Sequence, residues 1–143
     1  MRVLHSELQL NLKVGDALRM TVTRDKQSIV VVDDDIPALD ALSKLLETNG
    51  YQVLQAHNGQ EALEAVKSSP PPALILLDLS MPVMDGWEFM RRQRLEPSIA
   101  HIPVVVITAL VSAVPAGAKA LISKPINVNR LMRLVQKYCS GAA

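Results

Sequence analysis

Six residues of this chain have the types and spacing to do chemistry together. Asp33, Asp34 and Asp35 follow the β-branched run SIVVV that starts at residue 28. Asp78 follows LILL, Thr108 follows VVVI, and Lys124, itself followed by Pro125, ends ALIS. If these runs are parallel strands of one sheet, all six residues lie on its carboxyl edge, where open α/β sheets bind ligands. Carboxylates gathered that closely repel one another too strongly for all to stay ionised unaided. A hard divalent cation resolves the repulsion. Mg²⁺ suits the set, because it takes one or two carboxylates and fills its shell with water and phosphate oxygens. On this reading Asp34 and Asp78 ligate directly, Asp33 acts through water, and the backbone carbonyl of Ser80 completes the shell. Lys124 supplies a fixed positive charge and Thr108 a hydroxyl. An ionised Asp in such surroundings is suited to attack phosphorus and form an aspartyl phosphate. Phosphoryl transfer needs mainly positioning and charge neutralisation, which a metal and a lysine provide.

The elements that must position these residues are legible. Ser28–Asp33, Tyr51–Ala56, Ala73–Asp78, Ile102–Thr108 and Ala118–Ser123 read as strands. Their apolar runs are continuous rather than alternating, so both faces of the sheet are covered and the strands are parallel. Helical spacing marks Pro37–Asn49 through Leu39, Leu42, Leu45 and Leu46, with Asp35 as its cap and Gly50 as its stop. Asn58–Ser68 reads as a short helix before Pro70–Pro72. Gly86–Leu95 reads as a helix with Trp87 and Met90 inward, and Asn127–Tyr138 as the last, with Val128, Leu131, Val135 and Tyr138 on one stripe. Five strands joined by right-handed crossovers give a doubly wound α/β fold.

The first 26 residues follow another period. Leu8, Leu10, Leu12 and Val14 alternate with polar residues, Gly15-Asp16 follows, and Leu18, Met20 and Val22 alternate again. This pattern predicts a β-hairpin, which is marginal in water unless it packs on something. It reads as an accessory element, as a pairing edge for a second chain, or as a non-native extension with Met20 the true start.

Composition sets the outer bounds. At 143 residues the chain suggests one domain. A net charge of +1 offers no basic excess for nucleic acid or an anionic membrane surface. No apolar run approaches the roughly 20 residues of a membrane span, and Met1–Gly15 lacks the continuous apolar block of a secretory signal. The single Cys139 excludes an internal disulfide and fits a reducing, cytoplasmic setting; near a helix end it reads as a small half-buried residue. His5, His57 and His101 have no metal-ligand spacing, and Arg91, Arg92 and Arg94 read as a solvated helix face.

VVVDDD, LILLDLSMPVMDG, VVVITA and ALISKP, in that order, resemble the receiver domain of two-component response regulators over roughly residues 28–139. The ordered set is far more specific than any single piece of it. The resemblance implies the flavodoxin-like strand order 2-1-3-4-5, with residues 1–26 an extension, 27–140 the receiver domain and 141–143 a tail. It implies that Asp78 is the phosphoacceptor, that Asp33 and Asp34 are the acidic pair for Mg²⁺, that Thr108 contacts and senses the phosphoryl group, that Lys124 pairs with the free or phosphorylated carboxylate, and that the Lys124–Pro125 bond is cis. The implied partners are a histidine kinase or histidine phosphotransfer protein and an unknown downstream protein. No nucleic acid or membrane is implied, the state is a monomer or weak dimer, and the only catalysis is the domain's own phosphoacceptance and dephosphorylation. No output domain follows residue 143.

Two departures from the family stand out. Only fifteen residues separate Thr108 from Lys124, and Pro115 interrupts them, so the fourth helix is reduced to about one turn or an irregular loop. Leu121 stands three residues before Lys124, where receivers usually place the Tyr or Phe whose ring changes rotamer on phosphorylation. The readout is therefore unconventional and can involve the N-terminal hairpin. The competing reading is a scaffold or interaction module on a receiver fold that is never phosphorylated. A phosphohydrolase lacks a general acid at Ser80, and a nucleotide-binding protein lacks a glycine-rich loop after the first sheet strand.

Overall fold

A computed structural model describes residues 9–13, 16–23, 27–68, 70–109 and 113–139, the first two segments by their backbone alone. Gln9–Lys13 (β1) pairs antiparallel with Asp16–Thr23 (β2), as the alternation predicts. Leu10 opposes Val22 and Lys13 opposes Asp16, so Asp16 belongs to β2 rather than to the Gly-led turn pair. A register irregularity falls between Asn11 and Lys13.

The main sheet is built from Ser28–Val32 (β3), Gln52–Ala56 (β4), Leu74–Leu77 (β5), Val104–Thr108 (β6) and Ala120–Ser123 (β7). All neighbours are parallel, in the order β4-β3-β5-β6-β7. Counted within the main sheet this is the 2-1-3-4-5 order of a doubly wound fold. Alternate residues of the central strands feed two cores. Ile29, Val31, Leu74, Leu76, Val105 and Ile107 pack with Leu39 and Leu46 of Ile36–Thr48 (α1) and with Leu131, Val135 and Cys139 of Val128–Cys139 (α4). Val30, Val32, Ile75, Leu77, Val104 and Val106 pack with Ala62 and Leu63 of Gly59–Ala65 (α2) and with Phe89 and Met90 of Gly86–Leu95 (α3). Two-sided burial explains why these strands show no alternation in sequence.

Local chemistry sets the helix ends. α1 carries Pro37 in its first turn, where a missing N–H costs nothing. It stops at Gly50, whose φ of +96° and N–H donated to the Glu47 carbonyl at 3.0 Å make the left-handed cap only glycine adopts easily. Asp35 occupies the N-cap position, but its side chain makes no cap bond. Its own N–H instead donates to Asp33 Oδ1 at 2.9 Å. α2 is shorter than Asn58–Ser68, because Asn58 is its cap, accepting from the Glu61 N–H, and Val66 already closes it. Asp85 caps α3 in the same way, accepting from the Glu88 N–H at 2.9 Å.

Several side-chain expectations are corrected. The buried stripe of α3 is Gly86, Phe89, Met90 and Gln93, and Trp87, one residue off that stripe, is exposed. On α4 the buried stripe is Leu131, Val135 and Cys139; Val128 is exposed and Tyr138 half-buried. Cys139 is fully rather than half buried. Gln93, which nothing in the sequence singled out, is a buried staple: its Nε2 donates to the carbonyls of Ile99 and Ile102, both at 2.9 Å. β7 begins at Ala120 rather than Ala118. Between β6 and β7 no described residue is helical; the expectation of about one turn or an irregular loop falls partly on residues 110–112, outside the described residues. Residues 110–112, the tail at 141–143, and the positions of His5 and of the Met20 side chain lie outside the described residues.

Candidate functional site

Three backbone hydrogen bonds carry the parallel ladders just past the strand ends. Asp33 N–H donates to the Ala56 carbonyl, Asp78 N–H to the Val32 carbonyl, and Lys124 N–H to the Thr108 carbonyl, each at 3.0 Å. The backbones of Asp33, Asp78 and Lys124 are thereby fixed by the sheet itself. Lys124 Nζ lies 3.0 Å from Asp33 Oδ2 and 3.5 Å from Asp78 Oδ2, bridging the two carboxylates. The Lys124–Pro125 bond is cis. Asp33 Oδ1 accepts the Asp35 N–H, and Asp78 Oδ1 accepts the Ser80 N–H at 3.4 Å. Asp33, Asp78 and Thr108 are buried, whereas Asp34 is exposed. Asp33, Asp34 and Asp78 each offer a carboxylate oxygen within 4.8 Å of the others. Asp35 is not part of this group; it serves Asp33 through its backbone.

The loop after Asp78 is clamped from two sides. A Cβ on Gly86 would lie 2.5 Å from the Asp78 carbonyl oxygen and 2.8 Å from Leu79 Cα. The Gly86 N–H donates to the Leu79 carbonyl at 2.9 Å, so α3 begins in contact with the backbone of Asp78. On the other side Gly59 N–H donates to the Met84 carbonyl at 2.7 Å, and a Cβ on Gly59 would meet Met84 Cγ at 2.8 Å. The closeness of Gly86 to Asp78 gave no signal in the sequence. Val83 stands at φ +67°, a region β-branched residues rarely enter. Outside the clamp, a cleft of about 390 Å³ between α1 and α4 opens on Asp33, Asp78 and Lys124. Ala38, Leu42, Leu45 and Ile126 line it.

The electrostatics ask for another cation. Burial holds the Asp78 carboxyl above the usual carboxylate range; Asp33 adds to the rise and Lys124 opposes it. Burial alone would lower Lys124, but its hydrogen bond to Asp33 and the charges of Asp78 and Asp33 hold it above the usual lysine value. One ammonium thus leaves three clustered carboxylates under-compensated. A hard, oxygen-seeking divalent ion fits that donor set. Among the described residues, His57 pairs with Glu61, Arg91 and Arg92 pair with Glu88, and Arg94 donates to the Ala116 carbonyl, so these cations are engaged elsewhere.

Residues 29–136 match the family model of the response regulator receiver domain. The chain belongs to this family. It is 30% identical over 122 residues to the polar-differentiation response regulator DivK of Brucella anthropi, covering 81% of this chain and 98% of that one. It is 36% identical over 123 residues to an uncharacterised 14.6 kDa protein of Leptolyngbya boryana, covering 82% and 93%. Among solved structures, the receiver domain of a signal transduction histidine kinase from Syntrophus aciditrophicus superposes with a TM-score of 0.73 at 31% identity, over 80% of this chain and 91% of that one. The receiver domain of a sensor histidine kinase from Pseudomonas aeruginosa PAO1, with a magnesium ion coordinated in its active-site cleft, gives 0.73 at 25% identity, over 80% and 98%. As a receiver domain the chain is no enzyme in the ordinary sense, its chemistry being confined to its own aspartate. No helix among the described residues is long and apolar enough to cross a membrane.

Proposed function

We propose that residues 27–140 form a phosphorylatable receiver in which Asp78 takes a phosphoryl group from a phosphohistidine of a histidine kinase or phosphotransfer protein and passes the state on through protein contacts. The observation that carries the proposal is Lys124 Nζ set between Asp33 and Asp78 beside a third carboxylate, Asp34. A carboxylate oxygen of Asp78 attacks phosphorus. The new O–P bond forms as the P–N bond breaks, and the electron pair leaves on the imidazole nitrogen, which solvent protonates. Asp33, Asp34, Asp78 and the Ser80 carbonyl are the residues to hold Mg²⁺, which when bound neutralises charge on the phosphoryl oxygens. The magnesium in the cleft of the Pseudomonas receiver supports that choice of ion. Lys124, fixed by Asp33, orients Asp78 and compensates the charge that arrives with the phosphoryl group. Thr108, at the end of β6, offers a hydroxyl to a phosphoryl oxygen. Dephosphorylation is the attack of water on the same phosphorus, with Asp78 as the leaving group.

The test is incubation with acetyl phosphate and Mg²⁺, read by intact mass. One phosphate is expected, stable in acid and lost in base, absent without Mg²⁺ and absent in Asp78→Asn. No adduct, or an adduct that survives Asp78→Asn, overturns the proposal in favour of an unphosphorylated scaffold.

A further inference from the structure

Trp87, Arg91 and Leu95 are spaced four residues apart on α3 and form one ridge on its solvent side. Trp87 is 43% exposed and Leu95 69%. The Arg91 side chain between them is about half exposed, held at both ends of its guanidinium by Glu88 at 2.9 and 2.7 Å. Scattered single apolar residues on a surface mean little, but a large aromatic and a leucine sharing one ridge are a patch with a direction. Val114, also exposed, lies on the β6–β7 segment that Arg94 fastens to α3 through the Ala116 carbonyl.

The charges along this helix are divided. Asp85 and Glu88 stand in its cap and first turn; Arg91, Arg92 and Arg94 stand in its second half. Such a helix complements an antiparallel copy of itself. With a two-fold axis at Arg91, Trp87 of one copy meets Leu95 of the other, and Glu88 of one meets Arg94 of the other. The two Arg91 side chains approach each other already neutralised by their own Glu88. Ridges of i±4 spacing interdigitate at a crossing angle of about −50°, the commonest packing between helices. We propose that a second copy of this chain docks on the Trp87–Arg91–Leu95 ridge as an isologous dimer. One ten-residue helix covers less than the roughly 800 Å² per partner of a stable complex, so the dimer exchanges rapidly, with a dissociation constant on the order of 10–500 µM. The surface is separate from the phosphoacceptor residues and does not depend on Asp78 being phosphorylated.

Sedimentation velocity of the full chain from about 5 µM to about 1 mM spans this range. A reversible monomer–dimer equilibrium is expected. The emission of Trp87, the chain's single tryptophan, shifts to the blue as dimer forms. Trp87→Lys and Leu95→Glu, both at exposed positions, each weaken association by about tenfold or more. In the double variant each new lysine faces a new glutamate across the axis, so it associates more strongly than either single variant. Circular dichroism checks that all four proteins are folded. A chain that stays monomeric at the highest concentration overturns the proposal, as does a dimer indifferent to both single changes or a double variant no stronger than the singles.

Discussion

Gly86→Ala tests whether the geometry of the phosphoacceptor depends on the start of α3. The added methyl would stand 2.5 Å from the Asp78 carbonyl oxygen, 2.8 Å from Leu79 Cα and 3.0 Å from Leu79 Cδ2. The first two contacts are with backbone, so no side-chain rotation relieves them. Reaching even 3.0 Å, the floor for a real Cβ contact, moves the Asp78–Leu79 backbone and α3 apart by at least about half an ångström. α3 cannot supply that movement freely, because Phe89 and Met90 anchor it in the core. β5 cannot either, because it is paired on both sides. Overpacking of this kind costs about 1–3 kcal/mol, which for a chain of this size lowers the melting temperature by roughly 4–12 °C. Displacing a reacting group by about 1 Å can cost about a hundredfold in rate, so acceptance of phosphate on Asp78 falls by about tenfold or more. Urea unfolding and intact mass after timed exposure to acetyl phosphate measure the two effects. Gly50→Ala is the control: φ is +96° but no atom lies within 4 Å of the added carbon. It costs on the order of 1 kcal/mol from backbone strain and leaves the phosphorylation rate unchanged. If Gly86→Ala accepts phosphate at the wild-type rate, the clamp on Asp78 does not govern its geometry.

Val83→Asn should stabilise the chain by about 1 kcal/mol, raising the urea midpoint, because Asn tolerates φ +67° and Val83, 84% exposed, gives up almost no packing; an unchanged or lower midpoint refutes the strain. Burial pushes the Cys139 thiol up to about 11, so the folded state disfavours the thiolate. Its contribution is intact below the unfolded thiol's pKa near 8.5 and is lost as pH rises toward about 11, by up to about 3 kcal/mol. Urea unfolding at pH 8 and pH 10.5 should show that loss in the wild type and a smaller one in Cys139→Ala, and equal slopes would refute it.

The sheet was legible because β3, β5 and β6 are short continuous apolar runs buried on both faces, whereas β4, QVLQA, is an edge strand with a weaker signal. Asp33, Asp78, Thr108 and Lys124 were legible for the same reason: each follows immediately on a run, and the parallel ladder does the rest. Side-chain direction on the helices was less so. Trp87 looked like core by composition, but the buried stripe runs through Gly86, Phe89, Met90 and Gln93, and its direction goes with the close packing of Gly86 on the Asp78 backbone, a tertiary contact that spacing alone does not reveal. Gln93 gave no signal, since its partners are carbonyls of a later loop. Asp35 had the right type and position for a cap, yet its side chain makes no cap bond, and its part in the site is the N–H it donates to Asp33.

The β6–β7 segment, without a helix among its described residues, is still fastened, and the manner of fastening bears on how a change at Asp78 travels. Arg94 of α3 holds the Ala116 carbonyl, Arg130 of α4 holds the Leu121 carbonyl, and Lys119 N–H starts the β7 ladder on Val104. β7 is an edge strand, and an arginine on one of its carbonyls shields that edge as a covering helix otherwise would. Leu121 is half-buried against the apolar core and has no group that could exchange hydrogen bonds with Thr108. Around Asp78 itself the short contacts run the other way, through Leu79 to Gly86 and through Met84 to Gly59. Packed backbone transmits displacement because it cannot yield, whereas a half-buried leucine can change rotamer and absorb it. The stiffest mechanical connection of the phosphoacceptor is therefore to the N-termini of α2 and α3.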